Sequence, residues 1–324
     1  MTKPYFGRLL TAMVTPFAED GSVNYEAGCQ LADWLLANGS DGLVIEGSTG
    51  EAATMDMDEK IKFMETIVKH VNGRAPIVAG AGTNCTASTI DLVKKMEACG
   101  VDGLLVVGPF YNKPTQEGYY QHFAAVAKAT KLPIIVYNVP GRTGSNIAPA
   151  TVARLAKDFD NIVAIKEAAG NVAQCAELYR VLPERISIYS GDDGLILPFM
   201  AVGAVGLISV LANCNGQILQ DVMQAYEEGR NKDAADLNKK MVPLAKAMFM
   251  ESNPIPIKYA VTKVTGIDVG NPRLPLTPLC ADCVAMLDVI LKDYGMVNEQ
   301  AGRHYSMRAG AKALLWLQLY PCLL

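Results

Sequence analysis

Two short segments place reactive side chains directly after apolar runs of the sequence. In YNVPGRTG (137–144), Tyr137 follows the largely apolar run 132–136, and Arg142 stands five residues further on. In IKEAAG (165–170), Lys166 follows a second apolar run. A phenol can donate or accept a hydrogen bond, a guanidinium binds a carboxylate through two parallel bonds, and a neutral amine attacks a ketone to form a Schiff base. These residue types raise the question of which reaction uses all three.

Lys166 has the most specific chemistry of the three. Its neighbours 162–165 are all apolar, so that a buried ammonium ion would be costly, and desolvation favours the neutral amine, which is the nucleophilic form. The alternative is a lysine at the end of a strand that pairs with Glu167 or extends its charged end to water. This stretch alone leaves both interpretations open.

The elements that must position these residues follow a regular pattern. Short, β-branched apolar runs alternate with helical patterns, and continuous rather than alternating hydrophobicity indicates parallel strands that are covered on both faces. Eight such units before about residue 215 predict an α/β fold with a closed (β/α)8 TIM barrel. An open doubly wound sheet is the alternative, but Pro16 and Phe17 stand where its glycine fingerprint should follow the first strand. The predicted strands are 9–14, 42–47, 76–82, 103–109, 133–139, 162–168, 186–193 and 203–210.

The pattern changes twice along the chain. We predict that residues 1–214 form the barrel with the active site, and that 215–297, which contain only helical patterns, form a C-terminal helical appendage. The tail 298–324 is richer in basic residues, and the sequence does not decide its status.

Composition excludes several classes of function. With 324 residues, half of them apolar, the chain can bury a large core, and a net charge of -4 with a pI near 5.5 offers no basic surface for nucleic acid. No apolar run is long enough for a membrane helix. Eight scattered cysteines without a secretory signal predict buried, reduced thiols and a cytoplasmic protein. Cys280 and Cys283 form a CxxC, but no second ligand pair stands at a zinc-like spacing, so that we predict core packing and no metal.

Polar segments follow five of the eight predicted strands, at the barrel face where active sites lie. They are GSTGE (47–51), PFYNKP (109–114), YNVPGRTG, IKEAAG and SGDD (190–193). In their order and spacing, GSTGE, the Tyr of YNVPGRTG and the Lys of IKEAAG resemble the Schiff-base aldolase family of dihydrodipicolinate synthase and N-acetylneuraminate lyase, over residues 5 to 297. YNVPGRTG, PFYNKPTQEGYYQHF (109–123) and ESNPIPIKYA (251–260) are similar to the dihydrodipicolinate synthase branch.

The resemblance implies a role for each matching residue. Lys166 would condense with pyruvate, whose carboxylate would bind the hydroxyl and backbone N–H groups of Ser48 and Thr49. Tyr137 would transfer protons, linked through Ser48 to Tyr111, which would reach in from a neighbouring subunit. Many synthases of this family have Thr where this chain has Ser48, and the serine rotamer is less restrained.

Two further residues complete the implied site. Arg142 would hold the carboxylate of aspartate semialdehyde, the second substrate, and Ile208 would present its backbone carbonyl near the reacting centre. No cofactor would be needed, because the carbonyl is activated by a covalent Schiff base with Lys166. The resemblance also implies a homo-oligomer, a dimer or a dimer of dimers (homotetramer).

Two other functions remain open. One is a related pyruvate-dependent aldolase or lyase of a sugar acid, such as N-acetylneuraminate or a 2-keto-3-deoxy acid; Arg142 argues against it, because those branches usually have no arginine there. The other is an inactive barrel that serves as a ligand sensor or structural partner, for which a Schiff-base lysine has no use. Glu46, just before GSTG, has no assigned role: it is either paired with a cation or held protonated by desolvation.

Overall fold

The computed structural model describes residues 4–297, and its centre is a closed barrel of eight parallel strands in the order β1 to β8. The predicted (β/α)8 TIM barrel is therefore confirmed, and the open sheet is excluded. Each strand lies within one of the eight predicted runs. The strands are β1 (Leu9–Ala12), β2 (Gly42–Ile45), β3 (Ile77–Gly80), β4 (Gly103–Val107), β5 (Ile134–Asn138), β6 (Ile162–Glu167), β7 (Ser187–Ser190) and β8 (Gly206–Ser209).

Helices follow the strands and cover the outside of the barrel. Short 3-10 turns at Ala52–Thr54 and Asp193–Leu195 interrupt two of the connections. The helices are α1 (Tyr25–Ala37), α2 (Met57–Val71), α3 (Thr86–Ala98), α4 (Gln116–Ala129), α5 (Pro140–Thr143), α6 (Pro149–Asp158), α7 (Val172–Val181), α8 (Ile196–Ala201), α9 (Ala212–Glu227), α10 (Asn231–Ala247), α11 (Ile255–Thr265) and α12 (Ala281–Asp293).

Alternation along each strand divides the core into two parts. Side chains of one parity fill the barrel interior, and those of the other parity pack against the helices. Val44 belongs to the interior cluster, for example, whereas Leu43 and Ile45 belong to the outer one. Ala164 is also an interior residue, so that Lys166, two positions further along β6, points into the barrel as well.

The C-terminal helices α10 and α11 pack on α9, and α12 packs on both α10 and α11. Their presence confirms the predicted C-terminal helical part of the fold. The division of the chain at residue 214 stays a prediction, and helix α9 runs across that position. The tail 298–324 lies outside the described residues. None of the helices within 4–297 combines the length and the apolar character needed to cross a bilayer.

The cysteines are less uniformly buried than the sequence predicts. All seven within residues 4–297 are free thiols, but Cys85 and Cys280 are exposed. Core packing is therefore wrong for Cys280, while Cys283 is buried. The reason is the position of the CxxC at the start of α12, where Cys280 is the N-cap residue and lies outside the apolar face of the helix.

Candidate active site

The lysine at the end of β6 is enclosed by the barrel. Lys166 is only 5% exposed although its side chain is long and cationic. A Cβ at Gly191, which follows β7, would lie 2.6 Å from Ala168 Cβ and 2.9 Å from Lys166 Cε, so that glycine at this position avoids a clash with both side chains. Lys166 thus has the buried position that the sequence analysis predicts for it.

Tyr137 lies beside Lys166 on the neighbouring strand. The register of β5 and β6 places the two residues directly opposite each other. The Nζ atom of Lys166 lies 4.5 Å from the centroid of the Tyr137 ring, over its face. Both side chains therefore share the interior end of the barrel, where an amine and a phenol can act on the same substrate atoms.

The alternative partner of Lys166, Glu167, points to the opposite face of β6. Its carboxylate accepts hydrogen bonds from Asn138 Nδ2 (3.0 Å), Gln174 Nε2 (2.9 Å) and the backbone N–H of Ala169 (2.7 Å). Burial raises the pKa of Glu167, and these hydrogen bonds oppose the rise. Because this carboxylate is satisfied on the outer face, the pairing of Lys166 with Glu167 is excluded.

The turn after β2, which has the sequence GSTGE, offers unused hydrogen-bond donors. The backbone N–H groups of Ser48 and Thr49 donate to no acceptor within residues 4–297. The turn ends at Glu51 in the left-handed conformation, with φ 54°. Successive free N–H groups in such a turn form a concave site for an anion. Ser48 is exposed and Thr49 is buried, so that the turn reaches from solvent into the protein.

A buried ion pair holds this turn from behind. Glu51 accepts from Lys258 Nζ at 2.9 Å, and both side chains are 1% exposed. The other Glu51 oxygen accepts from the backbone N–H of Arg273, also at 2.9 Å. Lys258 further donates to the carbonyl of Thr15 at 3.0 Å. Desolvation lowers the pKa of Lys258 to about 8, and the charge of Glu51 opposes this shift.

Asn253 connects two of the predicted site residues. Its side-chain amide donates to Thr49 Oγ1 at 2.9 Å, and its backbone carbonyl accepts from Arg142 Nη2 at 3.2 Å. The Thr49 hydroxyl, which accepts this bond, keeps its own proton to donate elsewhere. Arg142 lies in the single-turn helix α5 and is exposed, so that its remaining N–H groups face solvent.

Within residues 4–297, the Tyr111 side chain makes no hydrogen bond to the other predicted site residues. Its side chain is 89% exposed. Its backbone is left-handed, with φ 72°, and its N–H donates to the carbonyl of Thr143 at 3.3 Å. Within residues 4–297 no hydrogen bond joins the side chains of Ser48, Tyr137 and Tyr111, and the relay through them stays a prediction.

Ile208 occupies the barrel interior near the end of β8 and is completely buried. The strand end is fixed by Asp193, which accepts from the Ser209 hydroxyl and from the backbone N–H groups of Val210 (3.2 Å) and Leu211 (3.1 Å). Burial raises the pKa of Asp193 to about 6. The second aspartate of SGDD therefore holds the loop between β7 and β8 together.

Glu46 is the most isolated polar group near the site. Its side chain is 2% exposed, neither carboxylate oxygen has a hydrogen-bond partner within residues 4–297, and its backbone is left-handed at φ 60°. Desolvation raises its pKa to about 8, and the charge of Lys60 in α2 lowers it only in part. Of the two possibilities for Glu46, pairing with a cation and protonation through desolvation, the structure favours the second.

Sequence reasoning missed Asn253 and Lys258. Both lie in ESNPIPIKYA, which carries the family resemblance, but neither stands at the end of a strand. The one available signal was a lysine within an apolar helical stretch, because a buried lysine requires a partner.

Comparison with known proteins places this site in a family. The model of the Dihydrodipicolinate synthetase family matches residues 5–294. A 4-hydroxy-tetrahydrodipicolinate synthase of Desulforamulus reducens is 50% identical over 276 residues, which are 85% of this chain and 93% of the relative. The structure of a dihydrodipicolinate synthase from Bacillus anthracis is 40% identical with a TM-score of 0.87, covering 93% of this chain and 100% of the other. A chloride-inhibited dihydrodipicolinate synthase from Acinetobacter baumannii, complexed with pyruvate, is 41% identical with a TM-score of 0.86, covering 90% and 99%.

Breaking the buried ion pair should destabilise the protein. In Lys258→Met the Glu51 carboxylate keeps its charge in an apolar environment, and removing one partner of such a pair costs about 3–5 kcal/mol. We expect the midpoint of urea unfolding to fall accordingly. Lys263→Met changes an exposed lysine of the same helix and should shift the midpoint little. Equal effects of the two substitutions would contradict the role of the pair.

Glu46 should make stability depend on pH. Its pKa is raised to about 8 in the folded protein from an ordinary value of 4.5, so that its contribution is fully present below about pH 4.5 and is lost as the pH rises towards 8. We expect Glu46→Gln to become more stable relative to the wild type as the pH increases over this window, by up to about 1.4 kcal/mol per pH unit. Melting temperatures measured from pH 5 to 8 test this. Glu65→Gln, in an exposed position of α2, is the control, and parallel curves for wild type and Glu46→Gln would refute the assignment.

Proposed function

The chain belongs to the dihydrodipicolinate synthetase family, and we propose that it catalyses the 4-hydroxy-tetrahydrodipicolinate synthase reaction, the condensation of pyruvate with L-aspartate 4-semialdehyde in lysine and diaminopimelate biosynthesis. The enzyme is of the class I aldolase type. The observation that carries the proposal is the buried Lys166 amine at the end of β6, 4.5 Å from the ring centroid of Tyr137.

The first half of the reaction uses the interior end of the barrel. Lys166 Nζ attacks the ketone carbon of pyruvate, and loss of water gives the imine, in which the cationic nitrogen makes a proton of the adjacent methyl group acidic. Removal of that proton gives the enamine. Tyr137 is placed to carry these protons, because its phenol both donates and accepts. The free N–H groups and hydroxyls of Ser48 and Thr49 are suited to the pyruvate carboxylate.

The second substrate meets the enamine at the mouth of the barrel. The methyl-derived carbon of the enamine attacks the aldehyde carbon, a carbon–carbon bond forms, and the aldehyde oxygen takes up a proton. The amine of the semialdehyde then displaces Lys166 from the imine carbon and closes the ring. The exposed guanidinium of Arg142 is suited to the carboxylate of this substrate, since it forms two parallel bonds to such a group. Ile208 would bring its carbonyl to the reacting centre.

The chemistry requires no cofactor, because the lysine amine itself activates the ketone. Each substrate carries one carboxylate and the product carries two, which suits a site with a cationic Arg142 and free backbone N–H groups. We further propose that the protein acts in the cytoplasm, where both substrates arise in metabolism, and as a homo-oligomer in which Tyr111 enters the site of a neighbouring subunit.

Substrate turnover tests the function against its two alternatives. We expect the purified protein, incubated with pyruvate and aspartate semialdehyde, to consume both and to form the cyclic product, followed by NMR and mass spectrometry. Release of pyruvate from N-acetylneuraminate or a 2-keto-3-deoxy acid, without that condensation, would favour the sugar-acid lyase. Binding of pyruvate without turnover of any of these substrates would favour an inactive barrel.

The Arg142→Ala substitution should weaken the binding of aspartate semialdehyde selectively. Loss of a hydrogen bond to a charged group costs about 1.5–3 kcal/mol, and the KM for the aldehyde should rise about ten- to a hundredfold. The KM for pyruvate should change much less, because its carboxylate is assigned to Ser48 and Thr49. Steady-state kinetics with each substrate varied measure the split. Arg154→Ala, an exposed arginine of α6, is the control, and equal increases for both substrates in Arg142→Ala would refute the assignment.

A shared site should be restored by mixing inactive chains. Tyr111 is exposed in the single chain, so that a hybrid of Tyr111→Phe with Lys166→Ala contains one site with both functional residues. We expect the mixture to regain activity that neither variant has alone. Native mass spectrometry confirms that subunits exchange. No recovery in an exchanged mixture would show that Tyr111 acts within its own chain or not at all.

A further inference from the structure

Two thiols and a carboxylate meet at the start of α12, away from the barrel interior. Cys280 is the N-cap residue of this helix, and Cys283 lies within its first turn. Glu251, which precedes α11 in the sequence, is brought against them by the fold. One ligand atom from each of these three residues lies within 4.8 Å of the other two.

A hydrogen bond already joins two of these three residues. The Glu251 Oε1 atom accepts from the backbone N–H of Cys280 at 3.1 Å. The Cys283 sulfur lies within 4.8 Å of both the Cys280 sulfur and a carboxylate oxygen of Glu251. The carboxylate is thereby held towards the sulfur atoms, and the exposed Cys280 leaves an approach from solvent.

This arrangement approaches the dimensions of a tetrahedral metal site. Zinc binds thiolate sulfur at about 2.3 Å and carboxylate oxygen at about 2.0–2.2 Å, so that its ligand atoms lie roughly 3.5–3.8 Å apart. The three ligand atoms lie within 4.8 Å of one another, so that they need to approach by only roughly 1 Å to reach the distances of a zinc site. Cys280, as an exposed residue at the N-cap of α12, is the ligand best placed to make this adjustment.

We propose that Cys280, Cys283 and Glu251 bind one thiophilic divalent cation of the zinc class, with water as the fourth ligand. Binding of the cation displaces one proton from each thiol, and the two thiolates and the carboxylate supply three negative charges to the dication. Thiolate ligands select zinc over magnesium or calcium, which prefer oxygen. The sequence argument against zinc was the lack of a second ligand pair at a zinc-like spacing, and folding provides Glu251 as a third ligand in place of such a pair.

The site lies close along the chain to the proposed active site. Asn253, two residues after Glu251, contacts both Thr49 and Arg142. A cation that ties Glu251 to α12 would restrain the segment from which Asn253 makes these contacts. The metal would have a structural role, since the carbonyl chemistry assigned to Lys166 does not involve it.

Cobalt provides a direct optical test. The full-length protein is reduced, freed of metal with a chelator, and titrated with Co²⁺ in the absence of oxygen. We expect one equivalent per chain to give a thiolate-to-cobalt charge-transfer band and the visible bands of a tetrahedral ion, both of which Zn²⁺ should abolish by displacement. Binding should weaken as the pH falls, because the thiols must lose protons.

Variants assign the signal to these residues. The Cys280→Ser substitution changes an exposed position. Loss of a residue that only hydrogen-bonds to a metal ligand weakens metal binding by about 10–100-fold, and we expect the loss of this direct ligand to weaken Co²⁺ binding by more than that. Cys283→Ser should abolish the charge-transfer band, and Glu251→Gln should weaken binding while retaining it. Cys85→Ser, at another exposed cysteine, should behave as the wild type. Absence of the band in the reduced protein, its undiminished survival in either Cys280→Ser or Cys283→Ser, or oxidation of the pair to a disulfide as its only reaction would overturn the proposal.

Discussion

The pairing of β5 with β6 is the constraint on which the site depends. The register sets Tyr137 opposite Lys166, and the closed barrel turns both side chains inwards. A shift of one residue would move Lys166 to the helical layer and bring Glu167 into the interior. The same two strands secure this register from outside, where Asn138 donates to Glu167. The hydrogen bonds on the outer face thus fix the register of the two strands, and this register places the Lys166 amine beside Tyr137 on the inner face.

The C-terminal helices contribute to the mouth of the barrel as well as covering it. Lys258 in α11 pairs with Glu51 of the GSTGE turn, and Asn253, just before α11, contacts Thr49 and Arg142. Within the GSTGE turn and its end, the backbone hydrogen bonds are long, from Glu51 to the Ser48 carbonyl at 3.2 Å and from Ala52 to the Gly47 carbonyl at 3.3 Å. Residues from more than two hundred positions later in the chain therefore supply the support that it needs.

Much of this fold and part of the site could be predicted because the signals are local. Continuous apolar runs mark strands that are covered on both faces. A parallel barrel brings the ends of all its strands to one face, so that the sequence alone predicts that Lys166 and Tyr137 lie together. The roles of Asn253 and Lys258 could not be predicted in this way, because they depend on contacts between distant segments. The left-handed backbone at Glu46 and the approach of Glu251 to Cys283 have no periodic pattern either.

The central claim is that Lys166 is the amine that forms the Schiff base with pyruvate. Borohydride reduction in the presence of pyruvate, followed by intact mass and peptide mapping, tests it most directly. The account predicts one reduced adduct per chain, on the peptide that contains Lys166, and none in Lys166→Ala. An adduct on Lys258, which is also buried, or no adduct with intact, folded protein, would contradict it.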